Sequence, residues 1–175
     1  MEKKNKTLSA LNIVLTLIIL MLIALIIIFV VVLSPMTVSG ESMLNTLQDG
    51  ERIWVLKTEE NFERGDIIVF QRDGSNDNIV KRVIAVAGDT VKFDYEKGFI
   101  VNNEALDEPY IKDATYPWDY FNGSKQDLEV YKWLTTSGLT IKEGELFVLG
   151  DNRHVSFDSH RYGPIKINEI KGRVL

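Results

Sequence analysis

A serine with the potential for nucleophilic chemistry, Ser42, stands in the short stretch 38–43 (Val-Ser-Gly-Glu-Ser-Met). A serine hydroxyl is a weak nucleophile until a neighbouring base removes its proton. Gly40 allows the backbone to turn tightly and to approach a substrate closely, and the N–H of the nucleophile can then stabilise a developing oxyanion. The same residues also suit an ordinary turn serine, so Ser42 indicates an enzyme only if a base lies beside it.

Lys81 is one candidate for that base. It follows Ile79 and Val80 in a run of apolar, mostly β-branched residues. Burial penalises an ammonium group and lowers its pKa, and a neutral lysine can accept the serine proton in a Ser-Lys hydrolase. Alternation along a strand puts Lys81 and Arg82 on opposite faces, which does not decide which of them is buried. A solvent-facing Lys81 is the alternative.

A third stretch, 150–159 (Gly-Asp-Asn-Arg-His-Val-Ser-Phe-Asp-Ser), is dense in small polar residues. These side chains could hydrogen-bond a buried lysine and fix its rotamer, or merely satisfy their own backbone in turns. Either histidine of the chain, His154 or His160, could instead complete a Ser-His-acid triad with Asp151 or Asp158. No metal or other cofactor is expected, because His-x5-His on a loop matches no firm ligand spacing.

Together these stretches resemble the sequence boxes of the type I signal peptidases, in their bacterial, Gram-positive form. The stretch 38–47 is similar to the serine box of that family, 80–89 to its lysine box and 150–159 to its Gly-Asp-Asn-Arg box, and 65–70 is similar to a further shared block. The resemblance implies a mostly β catalytic core with a small inserted lobe, preceded by a single N-terminal transmembrane helix. It also implies a serine endopeptidase that cleaves signal peptides from exported preproteins.

The resemblance also implies roles for single residues. Ser42 would be the nucleophile and would hold the oxyanion with its own N–H, and Lys81 would be the general base. Ser156 would orient Lys81, Asp158 would support the site, and Met43 would pack beside the nucleophile. The residues implied to line shallow pockets for small substrate side chains are Met36, Val38, Ile79 and Val80.

Three positions depart from the pattern of that family. Asn45 stands where the family commonly has proline, which predicts a looser turn after the nucleophile. His160 stands where the family has arginine, which predicts that the ion pair with Asp158 becomes pH-dependent. Gly40 has no hydroxyl with which to assist the oxyanion, as some members have.

The elements that must position these residues begin with an apolar N-terminal run. Residues 8–33 carry no charge, and about 20 apolar residues suffice to cross a bilayer as a helix. A cleavable secretory signal would have a shorter apolar region and a small-x-small cleavage site, so the run predicts an uncleaved anchor. Three lysines precede it, which predicts a cytoplasmic segment 1–7 and a single-pass protein of the cell membrane whose domain 34–175 lies on the extracytoplasmic face.

Composition limits what that outer domain can do. The chain has 175 residues, no cysteine and a net charge of −5. Residues 1–35 contribute +2, from three lysines and one glutamate, so the remainder carries −7. The missing cysteines exclude disulfides and thiolate metal sites, and an acidic domain without a basic stripe is a poor nucleic-acid binder.

After residue 35 the sequence predicts strands and turns without a sustained helix. The predicted strands are 52–56, 67–70, 79–87, 90–94, 99–101 and 145–149, with 90–94 as the hairpin partner of the strand before it. The inserted lobe is expected over about residues 95–143, where 104–143 is polar and rich in aromatic residues.

The function predicted from these features is that of a membrane-anchored Ser-Lys endopeptidase. Its expected partners are signal-peptide-bearing preproteins, the lipid bilayer and the export translocon. A non-catalytic membrane-tethered β domain that binds exported peptides or a partner protein is one alternative, and a narrowly specialised Ser-Lys protease is another.

Overall fold

The computed structural model describes residues 2–57, 61–72, 74–111 and 125–175. The chain divides into two compact units, Met1–Ser34 and Pro35–Leu175. Helix α1 (Glu2–Val32) makes up nearly all of the first unit. Its segment Asn12–Val32 has 21 residues, a mean hydropathy of 3.6 and no buried face, and is long and apolar enough to cross a membrane. A helix that is apolar on every side suits lipid better than water.

The second unit is mostly β. The strands in chain order are β1 (Leu33–Thr37), which begins at the end of the first unit, β2 (Arg52–Leu56), β3 (Ile67–Phe70), β4 (Ile79–Ala85), β5 (Thr90–Asp94), β6 (Gly98–Val101), β7 (Glu104–Ala105), β8 (Leu139–Thr140), β9 (Glu145–Leu149), β10 (Ile165–Lys166) and β11 (Ile170–Val174). Two helices, α2 (Lys125–Thr135) and α3 (Ser159–Tyr162), and a 3-10 turn (Ile167–Glu169) complete the described elements. The mostly β fold is therefore confirmed.

The strands form two sheets. The larger has seven strands in the order β1-β2-β11-β3-β4-β9-β10, and the smaller has four in the order β7-β6-β5-β8. Strand β4 lies inside the larger sheet, where its β-branched residues suit a pleated, buried surface. Lys81 is opposite Ile68 of β3, and Arg82 is opposite Leu149 of β9. Since the third polar stretch begins directly after Leu149, this register brings it beside the lysine stretch.

The prediction that 90–94 pairs with the strand before it is wrong. Strand β5 pairs instead with β6 and β8 in the smaller sheet. The chain leaves the larger sheet at Gly88, whose φ of 89° is available to few other residues. The Asp89 carboxylate then accepts hydrogen bonds from the Val86 N–H and from Asn102 Nδ2, both at 2.9 Å, and so holds the crossover.

The expectation of no helix after residue 35 is also wrong, because α2 spans 11 residues. Its buried side chains Val130 and Leu134 lie one turn apart and pack with Phe93, Phe99 and Phe147 in the core between the helix and the smaller sheet. So short an apolar stripe in a polar helix gives weak periodicity, and packing rather than propensity stabilises it. Of the expected lobe, residues 112–124 lie outside the described residues.

Candidate active site

The hydroxyl of Ser42 and the side-chain nitrogen of Lys81 are in direct contact. Lys81 Nζ donates a hydrogen bond of 2.6 Å to Ser42 Oγ. The two residues lie 39 positions apart in the sequence, Ser42 in a turn and Lys81 inside β4. A base must lie within about 2.6–3.2 Å of the proton that it removes, and this pair meets that condition. Among the described residues, Lys81 is the only one that hydrogen-bonds the Ser42 hydroxyl.

Lys81 is buried to an unusual degree for its type. Only 3% of its surface is exposed, although lysine is almost never fully buried in proteins. Burial lowers the pKa of Lys81, and the negative charges of Asp158 and Asp151 offset only part of that change. A general base must be neutral, and at a given pH the neutral fraction of Lys81 is therefore larger than that of an exposed lysine.

The turn that carries Ser42 is built from local hydrogen bonds and two left-handed residues. Gly40 has φ 89°, and its N–H donates to Asp49 Oδ1 at 2.8 Å. Asn45 has φ 84°, which asparagine tolerates and the proline ring forbids. A proline at position 45 would therefore require a different turn. The Ser42 N–H has no hydrogen-bond partner among the described residues, so it is available to an oxyanion.

The third polar stretch holds this turn in place. The Asn152 N–H donates to the Ser42 carbonyl oxygen at 3.0 Å, and Asn152 Nδ2 donates to the Glu41 carbonyl oxygen at 3.0 Å. Gly150 packs so closely that a Cβ added there would lie 2.5 Å from the Ser42 carbonyl oxygen and would overlap Ser156 Oγ. Residues 150–152 thus serve as the backing of the nucleophile turn.

Asp158 is fully buried and ties the two ends of the third stretch together. Its Oδ2 accepts from the Gly150 N–H at 2.8 Å, and its Oδ1 bonds His160 Nδ1 at 2.5 Å. Burial by itself would raise the pKa of Asp158, but its electrostatic interaction and side-chain hydrogen bond with His160 and the bond from Gly150 leave it lowered overall. His160 therefore takes the position of the expected arginine partner of Asp158.

Ser156 is buried beside the same carboxylate. Its hydroxyl contributes to the lowered pKa of Asp158, although no hydrogen bond of good geometry joins it to any group in the described part of the chain. In particular, no hydrogen bond between Ser156 and Lys81 is present there. The structure thus places Ser156 behind Gly150 and next to Asp158.

The histidines do not occupy the position of a base for Ser42. His160 has no exposed surface and its Nδ1 bonds Asp158, while His154 is exposed. The second carboxylate of the proposed triad, Asp151, accepts two hydrogen bonds from Arg82, from Nε at 2.9 Å and from Nη2 at 2.6 Å. Within the described residues no group of three or more metal-ligating side chains is present.

The residues expected to line the substrate pockets fall into two apolar clusters. Met36, Val38 and Val80 pack in one cluster with the buried Met43, while Ile79 belongs to the neighbouring one. Met36, Val80 and Ile79 are half-buried, whereas Val38 is only 4% exposed. Met43 is 1% exposed and lies in the core directly after the nucleophile in the chain.

Four residues near the site had no assigned part in the expectations from sequence: Arg82, Asn152, Arg153 and Glu108. Arg82 bonds Asp151 and also donates from Nη1 to the Gly65 carbonyl oxygen at 2.8 Å. Arg153 is 1% exposed and pairs with Glu108, 45 positions earlier. The sequence offered one signal for the two arginines. Both lie inside the motif stretches, and a charged side chain that is buried in such a stretch needs a partner of opposite charge.

Comparison with known proteins agrees with this geometry. The family model "Signal peptidase, peptidase S26" matches residues 10–175. The chain is 36% identical over 162 residues to Signal peptidase I of Streptococcus pneumoniae, covering 79% of this chain and 78% of that protein. It is 39% identical over 149 residues to Signal peptidase IB of Staphylococcus aureus, covering 82% and 76%.

A crystal structure of a signal peptidase I from Enterococcus faecalis shares 31% sequence identity with the chain, covers 66% of it and 97% of that structure, and superposes with a TM-score of 0.47. Both the family model, which spans nearly the whole chain, and the two curated relatives lead to one assignment. The chain belongs to the signal peptidase family, peptidase S26.

Proposed function

We propose that this protein is a membrane-anchored endopeptidase that removes signal peptides from exported preproteins, with Ser42 as nucleophile and Lys81 as general base. The observation that carries the proposal is the 2.6 Å hydrogen bond between Lys81 Nζ and Ser42 Oγ at a lysine whose pKa burial lowers. Family membership supports the substrate class.

The reaction follows from the positions of three groups. Neutral Lys81 takes the Ser42 hydroxyl proton while Ser42 Oγ attacks the scissile carbonyl carbon. The Ser42 N–H donates to the resulting oxyanion. Lys81 then passes the proton to the leaving amine, and the acyl-ester remains on Ser42. A water deprotonated by Lys81 attacks that ester, which releases the carboxyl product and restores the serine hydroxyl.

A substrate with small side chains near the scissile bond suits the apolar surroundings of Ser42. Half-buried Met36, Val80 and Ile79 would form shallow walls for those side chains. Val38, at 4% exposure, would support the wall from within rather than form its surface. The peptide would bind extended, by strand addition.

Anchoring by α1 would place enzyme and substrate in the same membrane, at a high effective concentration. Lys3, Lys4 and Lys6 precede the apolar segment, and the positive-inside bias then puts the N-terminus in the cytoplasm and the catalytic domain on the extracytoplasmic face of the cell membrane. Preproteins emerge there from export, so the bilayer and the export translocon are the proposed neighbours.

The test is cleavage of a preprotein with an Ala-x-Ala site by the full-length protein in detergent. Ser42→Ala and Lys81→Met should each abolish cleavage, whereas Lys171→Met, which removes an exposed ammonium, should cleave like the parent. Cleavage that survives Lys81→Met but is lost in a histidine variant would overturn the assignment of the base. A folded parent that cleaves no preprotein would overturn the enzymatic function.

A further inference from the structure

A largely buried group of charged and aromatic side chains lies next to the site but is not part of it. We call it the Glu108 cluster, and it consists of Glu108, Tyr110, Arg82 and Arg153. Two of its members, Arg82 and Arg153, come from the lysine and Gly-Asp-Asn-Arg stretches. The other two come from the segment between β7 and the helix α2, in the part of the sequence that the motifs leave unexplained.

Glu108 is the acceptor at the centre of this cluster. Arg153 donates from Nη1 to Glu108 Oε2 at 2.8 Å and from Nη2 to Glu108 Oε1, so the two side chains form a two-point pair. The exposed fraction is 1% for the Arg153 side chain and 7% for that of Glu108. Tyr110 also donates from its hydroxyl to Glu108 Oε1, at 2.8 Å. Such a two-point pair fixes the guanidinium in orientation as well as in position.

Arg153 transmits that position to the backing of the nucleophile. Its Nε donates to the Gly150 carbonyl oxygen at 3.0 Å, and the N–H of Gly150 donates to Asp158. Both backbone groups of Gly150, its carbonyl oxygen and its N–H, are therefore hydrogen-bonded to buried side chains. Its Cα packs against the Ser42 carbonyl oxygen without room for a side chain. Glu108 is thus connected to the nucleophile turn through one arginine and one glycine.

Tyr110 provides a second connection, to the arginine beside Lys81. The Arg82 guanidinium lies 4.0 Å from the centre of the Tyr110 ring, and the same guanidinium pairs with Asp151. Burial and the negative charge of Glu108 raise the pKa of Tyr110, so its hydroxyl keeps its proton and remains a donor. One short segment, 108–110, therefore contacts both arginines that hold the third stretch.

We propose that Glu108 is a positioning residue for the Ser-Lys reaction, which holds Arg153 and, through Tyr110, Arg82, so that Gly150 and Asp151 keep Ser42 aligned with Lys81. This inference rests on the proposed function. It assigns to the inserted segment an effect on the rate of the chemical step, although the segment contributes no group to the reaction itself.

Glu108→Gln in the full-length protein tests this proposal, with Asp107→Asn as matched control. Each variant replaces one carboxylate by an amide, and the two positions are neighbours in the chain. Asp107, however, is exposed and forms no hydrogen bond to any described residue. We expect kcat of Glu108→Gln to fall about 10- to 100-fold with KM within about twofold, since displacements near 1 Å carry rate losses of that order. The midpoint of the pH–rate profile should also move to higher pH, because a loosened site lets water reach Lys81. Asp107→Asn should match the parent in all three.

Tyr110→Phe keeps the ring on Arg82 and removes only the bond to Glu108, so it carries the test if Glu108→Gln fails to fold. Its kcat should fall by less than that of Glu108→Gln, because Arg153 keeps its two-point pair with Glu108. The parental kcat and pH midpoint in a folded Glu108→Gln or, if that variant does not fold, in Tyr110→Phe would overturn the positioning role. Cleavage by the Ser42→Ala variant would instead overturn the proposed function, so the two failures are distinguishable.

Discussion

Gly150→Ala should impair catalysis by a purely steric route. Gly150 does not have a left-handed backbone, so an alanine there introduces no backbone strain, and its effect comes from its methyl group alone. That Cβ would lie 2.5 Å from the Ser42 carbonyl oxygen, and ordinary contact begins at 3.4 Å, so the two must separate by about 0.9 Å. The Ser156 side chain, on the other side of the new methyl group, would be displaced as well.

A displacement near 1 Å at the nucleophile corresponds to a loss of about 100-fold in rate. Overpacking a buried position also costs about 1–3 kcal/mol of unfolding free energy. We therefore expect Gly150→Ala to lower kcat by about two orders of magnitude while it still folds. The assay is the pre-protein cleavage rate at saturating substrate, measured beside the thermal unfolding midpoint.

Gly144→Ala is the control for stability alone. A Cβ there meets nothing within 4 Å, but the residue has φ 77°, so alanine costs about 1–2 kcal/mol through the backbone. This variant should lose stability and keep the kcat of the parent. A folded Gly150→Ala protein with the kcat of the parent would refute the view that residue 150 sets the position of Ser42.

Three further predictions follow from the charges at the site. The value of kcat/KM should rise with pH through a midpoint below the ordinary lysine pKa of about 10.4, because the base must be neutral and burial lowers the pKa of Lys81; a pH–rate profile with an ordinary midpoint would contradict this. Lys81→Met should raise the melting temperature at neutral pH although it removes activity. The pKa of Lys81 is lower in the folded than in the unfolded protein, so at pH values below the unfolded-state pKa the lysine lowers the free energy of unfolding. A lower melting temperature would speak against the desolvation of Lys81. Arg82→Met should lower the free energy of unfolding in urea by about 3–5 kcal/mol, because it leaves the buried Asp151 carboxylate without its cation. The control Arg52→Met, at an exposed position, should change that free energy by no more than about 0.5 kcal/mol. Equal losses in the two variants would be inconsistent with a buried pair.

The strands of the larger sheet could be predicted from sequence because their signals are local. The runs at 67–70 and 145–149 are apolar and bounded by turn residues, and the structure has strands at Ile67–Phe70 and Glu145–Leu149. Pairing is not local, and this is why β5 was assigned to the wrong sheet. The partners of β5 are β6 and β8, and β8 lies about 50 residues later in the chain, so no local pattern reveals the pairing.

Helix α2 was missed for a related reason. It buries a narrow stripe at Val130 and Leu134, while the aromatic Trp133 between them is exposed. Two buried residues one turn apart give only weak helical periodicity, and the helix is stabilised by packing on the sheet. The contact of Glu108 with Arg153 is equally hard to predict from sequence, because the two residues lie 45 positions apart and no local pattern at either position indicates its partner.

Residue types and local patterns are enough to identify the residues that could do chemistry and the N-terminal run that could span a membrane. Residue types set both properties: a serine and a lysine have their reactive groups in any fold, and the 21-residue segment Asn12–Val32 has its length and its hydropathy before the chain folds. Three features become visible only once the chain is folded. They are the burial of Lys81, the contact of Ser42 with Lys81 rather than with a histidine, and the pairing of His160 with Asp158. The physical reason is that desolvation and hydrogen-bond geometry depend on neighbours from distant parts of the chain, which are brought together by strand pairing and by the contacts of residues 150–152 with the turn of Ser42.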